Sequence, residues 1–140
     1  MPRFILAWLA LVLVLAAPST ASAAAGPFAG TWRAFATTGG MQCRFDLVMT
    51  SAGQYIEQAQ CGPYVTSQRG TYRVFANGTL SRSVTNWSPT QHIVVDPGGS
   101  HLEPSSRPPG GSYRYTFTNA NTMVWRDLIM GGTLVWHRRV

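Results

Sequence analysis

The regular spacing of turn signals is the feature that most limits how this chain can fold. From Gly30 onward, glycine, asparagine and proline interrupt the sequence roughly every eight to twelve positions. The runs between them are rich in Val, Thr, Tyr, Phe and Trp, alternate with polar residues and show almost no helical periodicity. Short strands joined by such turns predict an all-β, meandering antiparallel barrel or sandwich.

The first predicted hairpin joins residues 43–50 to residues 54–61 through the turn Ser51-Ala52-Gly53. A three-residue loop with glycine last is typical of a type I turn followed by a left-handed glycine. This register places Cys43 directly opposite Cys61, at a Cα separation of about 4.5–5.5 Å that suits a disulfide. We therefore expect one structural disulfide. The inner face of the hairpin then carries Cys43, Phe45, Leu47, Met49, Tyr55, Glu57, Ala59 and Cys61.

The second predicted hairpin joins residues 70–76 to residues 79–86 through Asn77-Gly78, a dipeptide typical of two-residue hairpin turns. Its two faces are mixed in polarity. One face carries Tyr72, Val74, Ser81 and Ser83, and the other carries Arg73, Phe75, Leu80 and Arg82. A β-bulge would separate the polar from the apolar residues, but the sequence does not locate one.

The third predicted hairpin joins residues 113–118 to residues 122–130, and Gly131-Gly132 leads into a last strand at residues 133–139. In this register Tyr115 faces Trp125 on the inner side, in a cross-strand aromatic pair. The last strand is predicted to pair Ile129 with Leu134 and Asp127 with Trp136. Its continuation brings Arg138 to the inner face beside Trp125, which is unusual for a charged side chain.

A long segment rich in proline and glycine, residues 86–112, separates the second and third hairpins. It contains one short apolar strand, Ile93-Val94-Val95. Irregular segments of this length within a compact domain commonly serve as lids or binding loops. We expect it to cross one mouth of the barrel.

The N-terminal segment predicts export. Arg3 precedes an apolar run that ends in an Ala-x-Ala site at Ala23, so residues 1–23 read as a secretory signal peptide and residues 24–140 as a single domain. After cleavage, ten arginines remain against five acidic residues, a net charge of +5. The chain has no lysine, which is typical of a GC-rich bacterial genome. We expect a periplasmic or secreted bacterial protein, an oxidising setting for the disulfide.

The tetrapeptide Gly30-Thr31-Trp32-Arg33 at the first strand and Arg138 in the last strand resemble the lipocalin/calycin group. The resemblance implies an up-and-down antiparallel eight-stranded barrel whose closed end is plugged by Trp32. It also implies that Arg138, with Arg139 as the next match, packs across this tryptophan and hydrogen-bonds backbone near the first strand. Trp125 is a further structural candidate on the inner face.

A second resemblance is to bacterial periplasmic inhibitors of secreted metalloproteases. These are small lipocalin-like barrels with one disulfide that open with Gly-x-Trp followed by a cysteine, and "GTWRAFATTGGMQCRFDL" is similar in outline. The resemblance implies an N-terminal arm threaded into a protease cleft. Here the arm consists of residues 24–29.

Motifs for catalysis and metal binding are sparse. There is no Gly-x-Ser-x-Gly motif, and the spacing of His92, Asp96, His101 and Glu103 matches no tight ligand pattern. Glu57 and Asp127 are the acidic residues predicted to face inward, and they keep an enzyme open as a third option. We expect no cofactor, no bound metal and no catalysis. The arginines are too scattered for a nucleic-acid surface.

The sequence favours a non-catalytic, monomeric, exported lipocalin-like protein that binds a small apolar or amphipathic molecule and does not span a membrane once processed. The alternative is a protein-binding barrel of the protease-inhibitor type. A pocket should open at the end opposite Trp32, under residues 86–112. Its candidate lining residues are Glu57, Tyr72 and Trp87, and Arg73 and Arg82 are the candidates to receive an anionic group.

Overall fold

The structure is a computed structural model that describes residues 26–140, so the predicted signal segment, residues 1–23, lies outside the described residues. Within the described part, ten strands follow a 3-10 turn at Gly26–Phe28. The strands are β1 (Gly30–Thr38), β2 (Met41–Met49), β3 (Gln54–Cys61), β4 (Tyr64–Val74), β5 (Thr79–Ser88), β6 (Gln91–Asp96), β7 (Gly99–Pro104), β8 (Gly111–Asn119), β9 (Thr122–Asp127) and β10 (Thr133–Arg139). No helix among these residues has the length and apolar character needed to cross a bilayer.

Eight of the strands form a closed barrel in the order β1-β10-β9-β8-β5-β4-β3-β2. The barrel closes where β1 pairs antiparallel with β10 and Trp32 lies opposite Arg138. Apart from the inserted strands β6 and β7, neighbours in sequence are neighbours in the sheet. The prediction of an all-β, eight-stranded antiparallel barrel is therefore confirmed, and the open sandwich is excluded.

The first and third hairpins have the predicted registers. In β2 and β3, Cys43 pairs with Cys61, and a disulfide joins them across a Cα–Cα distance of 4.2 Å. In β8 and β9, Tyr115 pairs with Trp125. Both hairpins alternate clearly between apolar and polar residues, so burial of one face specifies the register.

The register of the second hairpin was predicted wrongly by one residue. The turn contains three residues, Ala76-Asn77-Gly78, because the Phe75 amide donates to the Thr79 carbonyl at 2.9 Å and Gly78 adopts a left-handed φ of 82°. A slip of one residue turns every side chain of a strand to the opposite face. Leu80 and Arg82 therefore face inward with Tyr72 and Val74. The bulge that the sequence could not locate lies between Arg69 and Gly70.

The last hairpin also departs from the prediction. Strand β9 ends at Asp127, whose carboxylate accepts hydrogen bonds from the Ile129 and Met130 amides, both at 2.8 Å. The residues after Asp127 consequently form a turn instead of extending the strand. Leu134 pairs with Trp125 rather than with Ile129. The shift is four residues, an even number, so the inward face of β10 is unchanged.

The segment 86–112 contains a hairpin rather than one short strand. Strands β6 and β7 pair with each other and form a sheet separate from the barrel. Their side chains are mostly exposed, and Ile93 and Leu102 retain 68% and 62% of their surface. The expectation that the segment crosses the mouth is therefore wrong for the strands. The residues that flank them, including Pro89 and Pro108, border the mouth.

The closed end of the barrel, defined by the turns at residues 50–53, 75–78 and 119–121, is filled by side chains. Phe28, from the 3-10 turn, is 1% exposed and makes edge contacts with the rings of Tyr115 and Phe117. Trp32 is fully buried beside it and donates its indole N–H to the Phe28 carbonyl at 2.8 Å. Neither Phe28 nor Trp32 lines either of the two pockets at the opposite end of the barrel.

Arg138 lies across Trp32 at the closed end. Its Cζ is 4.2 Å from the centre of the indole. The guanidinium donates to the carbonyls of Ala29 at 2.7 Å, Pro27 at 2.9 Å and Ala120 at 3.1 Å. A charge with three acceptors and an aromatic face is well compensated. Arg138 thus ties the last strand to the start of the first.

Sterics explain why glycine occupies the first position of the Gly-x-Trp motif. Gly30 has a φ of 138°, a backbone conformation that side-chain-bearing residues rarely adopt. A Cβ atom there would lie 2.4 Å from the Arg138 guanidinium. The motif therefore provides both the plug and the space for the arginine that covers it.

Candidate functional site

The opposite end of the barrel, which we call the open end, contains two adjacent pockets, which we call lobe one and lobe two of the open-end cavity. Lobe one, about 370 Å³, lies between β3, β4 and the flanks of the β6–β7 hairpin, and its wall includes Ala59, Gln68 and Trp87. Lobe two, about 450 Å³, lies near β1, β9 and β10, and Trp125 is part of its wall. Phe45 and Glu57 line both lobes. The predicted location of a pocket, opposite Trp32, is correct.

A buried ion pair occupies the base of this cavity. The Arg82 guanidinium donates to a Glu57 carboxylate oxygen at 2.6 Å, and each of the two side chains is only 9% exposed to solvent. Arg82 also donates to the Tyr113 hydroxyl at 2.9 Å. The second Glu57 oxygen accepts from the Gln68 amide at 2.8 Å. Both charges therefore have partners, as charges removed from water require.

Aromatic rings surround the guanidinium. The Arg82 Cζ lies 4.9 Å from the ring centre of Tyr55, 5.1 Å from Tyr113 and 5.4 Å from Trp125. Burial alone lowers the pKa of Arg82, but the Glu57 carboxylate and the Tyr113 hydroxyl outweigh it and hold the pKa above its ordinary value. The arginine is therefore charged at every physiological pH, and the cluster is an electrostatically neutral pair within an aromatic cage.

Several buried polar atoms of the inner surface have no hydrogen-bond partner among residues 26–140. They are the Tyr55 hydroxyl, Gln68 Oε1, Arg82 Nε, Trp87 Nε1, Trp125 Nε1 and Trp136 Nε1. An unsatisfied buried donor or acceptor costs roughly 1–3 kcal/mol. Four of these residues line the cavity: Gln68, Arg82, Trp87 and Trp125. Most of the residues with an unpartnered buried atom therefore lie at the open end of the barrel.

The structure brings together three of the five predicted ligand-binding residues. Glu57 and Trp87 line lobe one, and Arg82 lines lobe two beside Glu57. The other two were misplaced. Tyr72 pairs with Arg82 across β4 and β5 and points inward, but its side chain extends to the closed end, where its hydroxyl donates to the Thr50 carbonyl, and it lines neither lobe. Arg73 is exposed on the outer surface, because it alternates with the buried Tyr72 and Val74 along β4. The three-residue turn separates it from Arg82, which the predicted register had put on the same face.

Three cavity-lining residues are not among the site candidates of the sequence: Phe45, Gln68 and Tyr113. Alternation predicts that Phe45 and Tyr113 face inward. It does not predict whether an inward residue lies near the closed end or near the open end of the barrel. Gln68 precedes the strand boundary predicted at Gly70, so it was given no face. Extending the alternation backward across the bulge would have found it.

The two inward carboxylates are already engaged. Glu57 is bound by Arg82 and Gln68, and Asp127 accepts two backbone amides. Among residues 26–140, no cluster of three His, Cys, Asp or Glu side chains could hold a metal ion. His101 instead contacts Glu103 at 2.9 Å on the exposed β6–β7 hairpin. The cavity is open at the barrel mouth, and its lining mixes aromatic residues such as Phe45, Trp87 and Trp125 with smaller and polar ones.

The two buried tyrosines offer a matched test of the unpartnered atoms. Tyr55→Phe should leave the free energy of unfolding unchanged or raise it by up to about 1 kcal/mol, because its hydroxyl has no partner among the described residues. Tyr72→Phe should lower it by about 1 kcal/mol, because the hydrogen bond to Thr50 is lost. Urea denaturation followed by tryptophan fluorescence measures both. Equal losses in the two variants would contradict the assignment.

Alkaline pH extends this test. Burial raises the pKa of both tyrosines above the ordinary value of 10.0, with Glu57 and Tyr113 adding to the shift at Tyr55 and Arg82 opposing it. A raised folded-state pKa gives stability that is complete below pH 10.0 and is lost as the pH rises through the folded-state value. Each Tyr→Phe variant should therefore lose less stability than the parent protein above that pH.

Comparison with known proteins adds no relative to this geometry: no protein-family model matches the chain, and no curated protein matches its sequence. The barrel, its closed end and its cavity are consequently described from this chain alone.

Proposed function

We propose that this protein is a non-catalytic lipocalin-like binding protein that holds a small apolar or amphipathic molecule in the open-end cavity. The observation that carries the proposal is a cavity at the open barrel mouth whose lining includes the aromatic residues Phe45, Trp87 and Trp125. Binding sites for small molecules typically combine apolar walls with a few placed polar groups and span about 300–1,000 Å³. Each lobe lies within that range.

The engaged state of the two carboxylates favours binding over catalysis. Glu57 binds Arg82 and Gln68, and Asp127 accepts two backbone amides of the turn after β9, so both carboxylates have structural partners. The proposal therefore assigns these acids structural roles.

Membership of the lipocalin-like barrels and export from the cell belong to the same proposal. The stacked Trp32–Arg138 pair beside Gly30 supports the first. The Cys43–Cys61 disulfide supports the second, because such bonds persist in oxidising compartments. Mass spectrometry of the protein purified from its own host would test export directly, since cleavage after Ala23 gives a defined mass.

The binding proposal is tested with N-phenyl-1-naphthylamine, a neutral fluorescent probe whose emission rises in apolar sites. We expect saturable binding to the parent protein. Ala59→Phe fills lobe one and should weaken binding of the probe at least tenfold if it occupies that lobe, and Ala36→Phe does the same for lobe two. Ala76→Phe, in an exposed turn at the closed end, is the matched control and should change nothing. An absence of saturable binding, or equal affinity in all four proteins, would refute the proposal.

A second candidate function, protein binding of the protease-inhibitor type, is favoured by the exposed β6–β7 hairpin. Ile93 lies opposite Leu102, and Val95 on the same face is 74% exposed, which makes a protruding apolar surface. The predicted N-terminal arm supports this function less, because Phe28 is buried in the closed end. Residual activity of a secreted zinc protease, measured with the parent protein and with Ile93→Ser, tests it. Inhibition by the parent and its loss in the variant would support the second candidate.

A further inference from the structure

Three large apolar side chains protrude from the turn that follows β9. Leu128, Ile129 and Met130 are 48%, 71% and 85% exposed. A run of three exposed apolar residues is unusual at a protein surface unless it serves a function. The turn joins β9 to β10 at the open end, and Met130 also lines lobe two. The apolar turn therefore lies at the rim of the barrel mouth.

Hydrogen bonds fix the backbone of this turn. The Asp127 carboxylate accepts from the Ile129 and Met130 amides, both at 2.8 Å. The Leu128 amide donates to the Ser112 carbonyl at 2.9 Å. Because these backbone donors are satisfied, the exposure of the three apolar side chains belongs to an ordered turn of the folded barrel.

Two arginines lie beside the turn on the outer surface of the barrel. Arg114 on β8 pairs directly with Arg126 on β9, and both side chains are exposed. Opposed side chains have Cβ atoms about 4.5–5.5 Å apart, and like charges in such a pair repel each other. Neither arginine has an ion-pair partner among residues 26–140. Together with residues 127–131 they line a third pocket of about 370 Å³, which we call the outer cleft.

The distribution of acidic residues leaves the outer cleft cationic. Asp127 is the acidic residue of its lining, against two arginines. Asp46 and Glu57 are bound to arginines elsewhere in the barrel. Asp96 and Glu103 lie on the β6–β7 hairpin. An anionic surface is therefore attracted to the outer cleft, whereas the hairpin, which is also apolar and exposed, carries two acids that oppose it.

We propose that the outer cleft and its apolar turn dock the protein on the surface of an anionic lipid bilayer. Leu128, Ile129 and Met130 insert at the boundary between headgroups and acyl chains, and Arg114 and Arg126 bind lipid phosphates. Guanidinium groups bind phosphate through paired hydrogen bonds, and apolar and cationic groups reinforce each other in membrane attachment. Docking brings the mouth of lobe two to the bilayer, because Met130 lines both pockets. It needs no ligand in the cavity and is independent of the proposed binding function.

The test is flotation of the protein with phosphatidylcholine vesicles and with vesicles of equal parts phosphatidylcholine and phosphatidylglycerol. The chain used begins at Ala24, because an apolar N-terminal segment binds vesicles by itself and the closed barrel lies within residues 26–140. We expect binding at least about tenfold tighter to the anionic vesicles, since each arginine near such a surface contributes roughly fivefold. High salt should weaken this binding, because it screens the charges.

Two variants and two matched controls locate the docking surface. Ile129→Ser should weaken binding to anionic vesicles roughly tenfold, and Arg126→Gln roughly fivefold. Ile93→Ser is the control for the first, since Ile93 is 68% exposed on the β6–β7 hairpin. Arg73→Gln is the control for the second, at an exposed position of β4. Both controls should change binding by less than about twofold. Thermal melting of each variant checks that the barrel is folded.

The inference would be overturned by a failure to float with anionic vesicles, by equal binding to both kinds of vesicle, or by equal losses in the variants and their controls. Calorimetric binding of inorganic phosphate without vesicle binding would assign the cleft to a soluble anion instead. A dimer that Ile129→Ser dissociates, again without vesicle binding, would assign the turn to a second copy of the chain. Binding of the naphthylamine probe is measured without vesicles, so each proposal can fail while the other stands.

Discussion

Replacing Arg82 by methionine is expected to lower the free energy of unfolding by about 3–5 kcal/mol, because it leaves the buried Glu57 carboxylate without its counter-charge. Methionine has a similar length and retains contact with the rings of Tyr55 and Tyr113, so the loss reports the charge rather than the packing. Guanidinium denaturation followed by tryptophan fluorescence provides the measurement.

Two further variants make this result specific to the ion pair. Arg73→Met is the same substitution on the neighbouring strand β4, at an exposed position, and should change stability by less than about 0.5 kcal/mol. Removing both charges with Arg82→Met and Glu57→Leu should recover much of the loss, because an apolar pair can replace a buried ion pair. A single Arg82→Met variant as stable as Arg73→Met would show that the pair is not buried as described.

Replacing Trp32 by alanine is the second change with a large expected effect, again about 3–5 kcal/mol. Trp32 is fully buried, donates to the Phe28 carbonyl and lies beneath the Arg138 guanidinium. Its removal leaves a cavity at the closed end and takes away the aromatic face of a charged group. Thermal and chemical denaturation should agree on the size of the loss.

The matched control for Trp32 is Trp87→Ala, the same substitution at the cavity mouth. Trp87 is only partly buried, so its removal should cost roughly half as much or less. A double-mutant cycle between Trp32→Ala and Arg138→Met should give a coupling of about 1–2 kcal/mol, the strength of a desolvated cation–π contact. Equal losses for the two tryptophans, with no coupling to Arg138, would contradict the described closed end.

The parts of the fold that could be predicted are those whose information is local. In the first hairpin, a three-residue turn and strict alternation agreed, and together they gave the register and the Cys43–Cys61 disulfide. In the second, Asn77-Gly78 suggested the commonest two-residue turn, whereas the chain uses a third residue, Ala76. That single residue moved Arg82 to the inner face with Tyr72 and Val74, whereas the predicted register had put it on the same face as Arg73.

The sequence predicted that the site contains an inward charged residue, but it did not predict which residues surround it. Alternation identified Glu57 as an inward carboxylate, which is unusual enough to attract attention. Its partner lies 25 residues away, and Gln68 lies beyond a bulge. Tyr72 is the direct cross-strand neighbour of Arg82, but its hydroxyl donates to the Thr50 carbonyl at the closed end. Which way along the barrel an inward side chain extends is not contained in the alternation pattern.

By itself, the sequence determined an all-β chain of short antiparallel strands, its disulfide, and the tryptophan and arginine that mark its first and last strands. These follow from turn chemistry and from alternation, which act over a few residues. Only the tertiary structure decided that the sheet closes, that Arg82 meets Glu57 inside it, and that Gln68 and Trp87 share one lobe. The physical reason is that these contacts require register and stagger to be fixed around the whole barrel, and a bulge or one extra turn residue changes them without altering the local pattern.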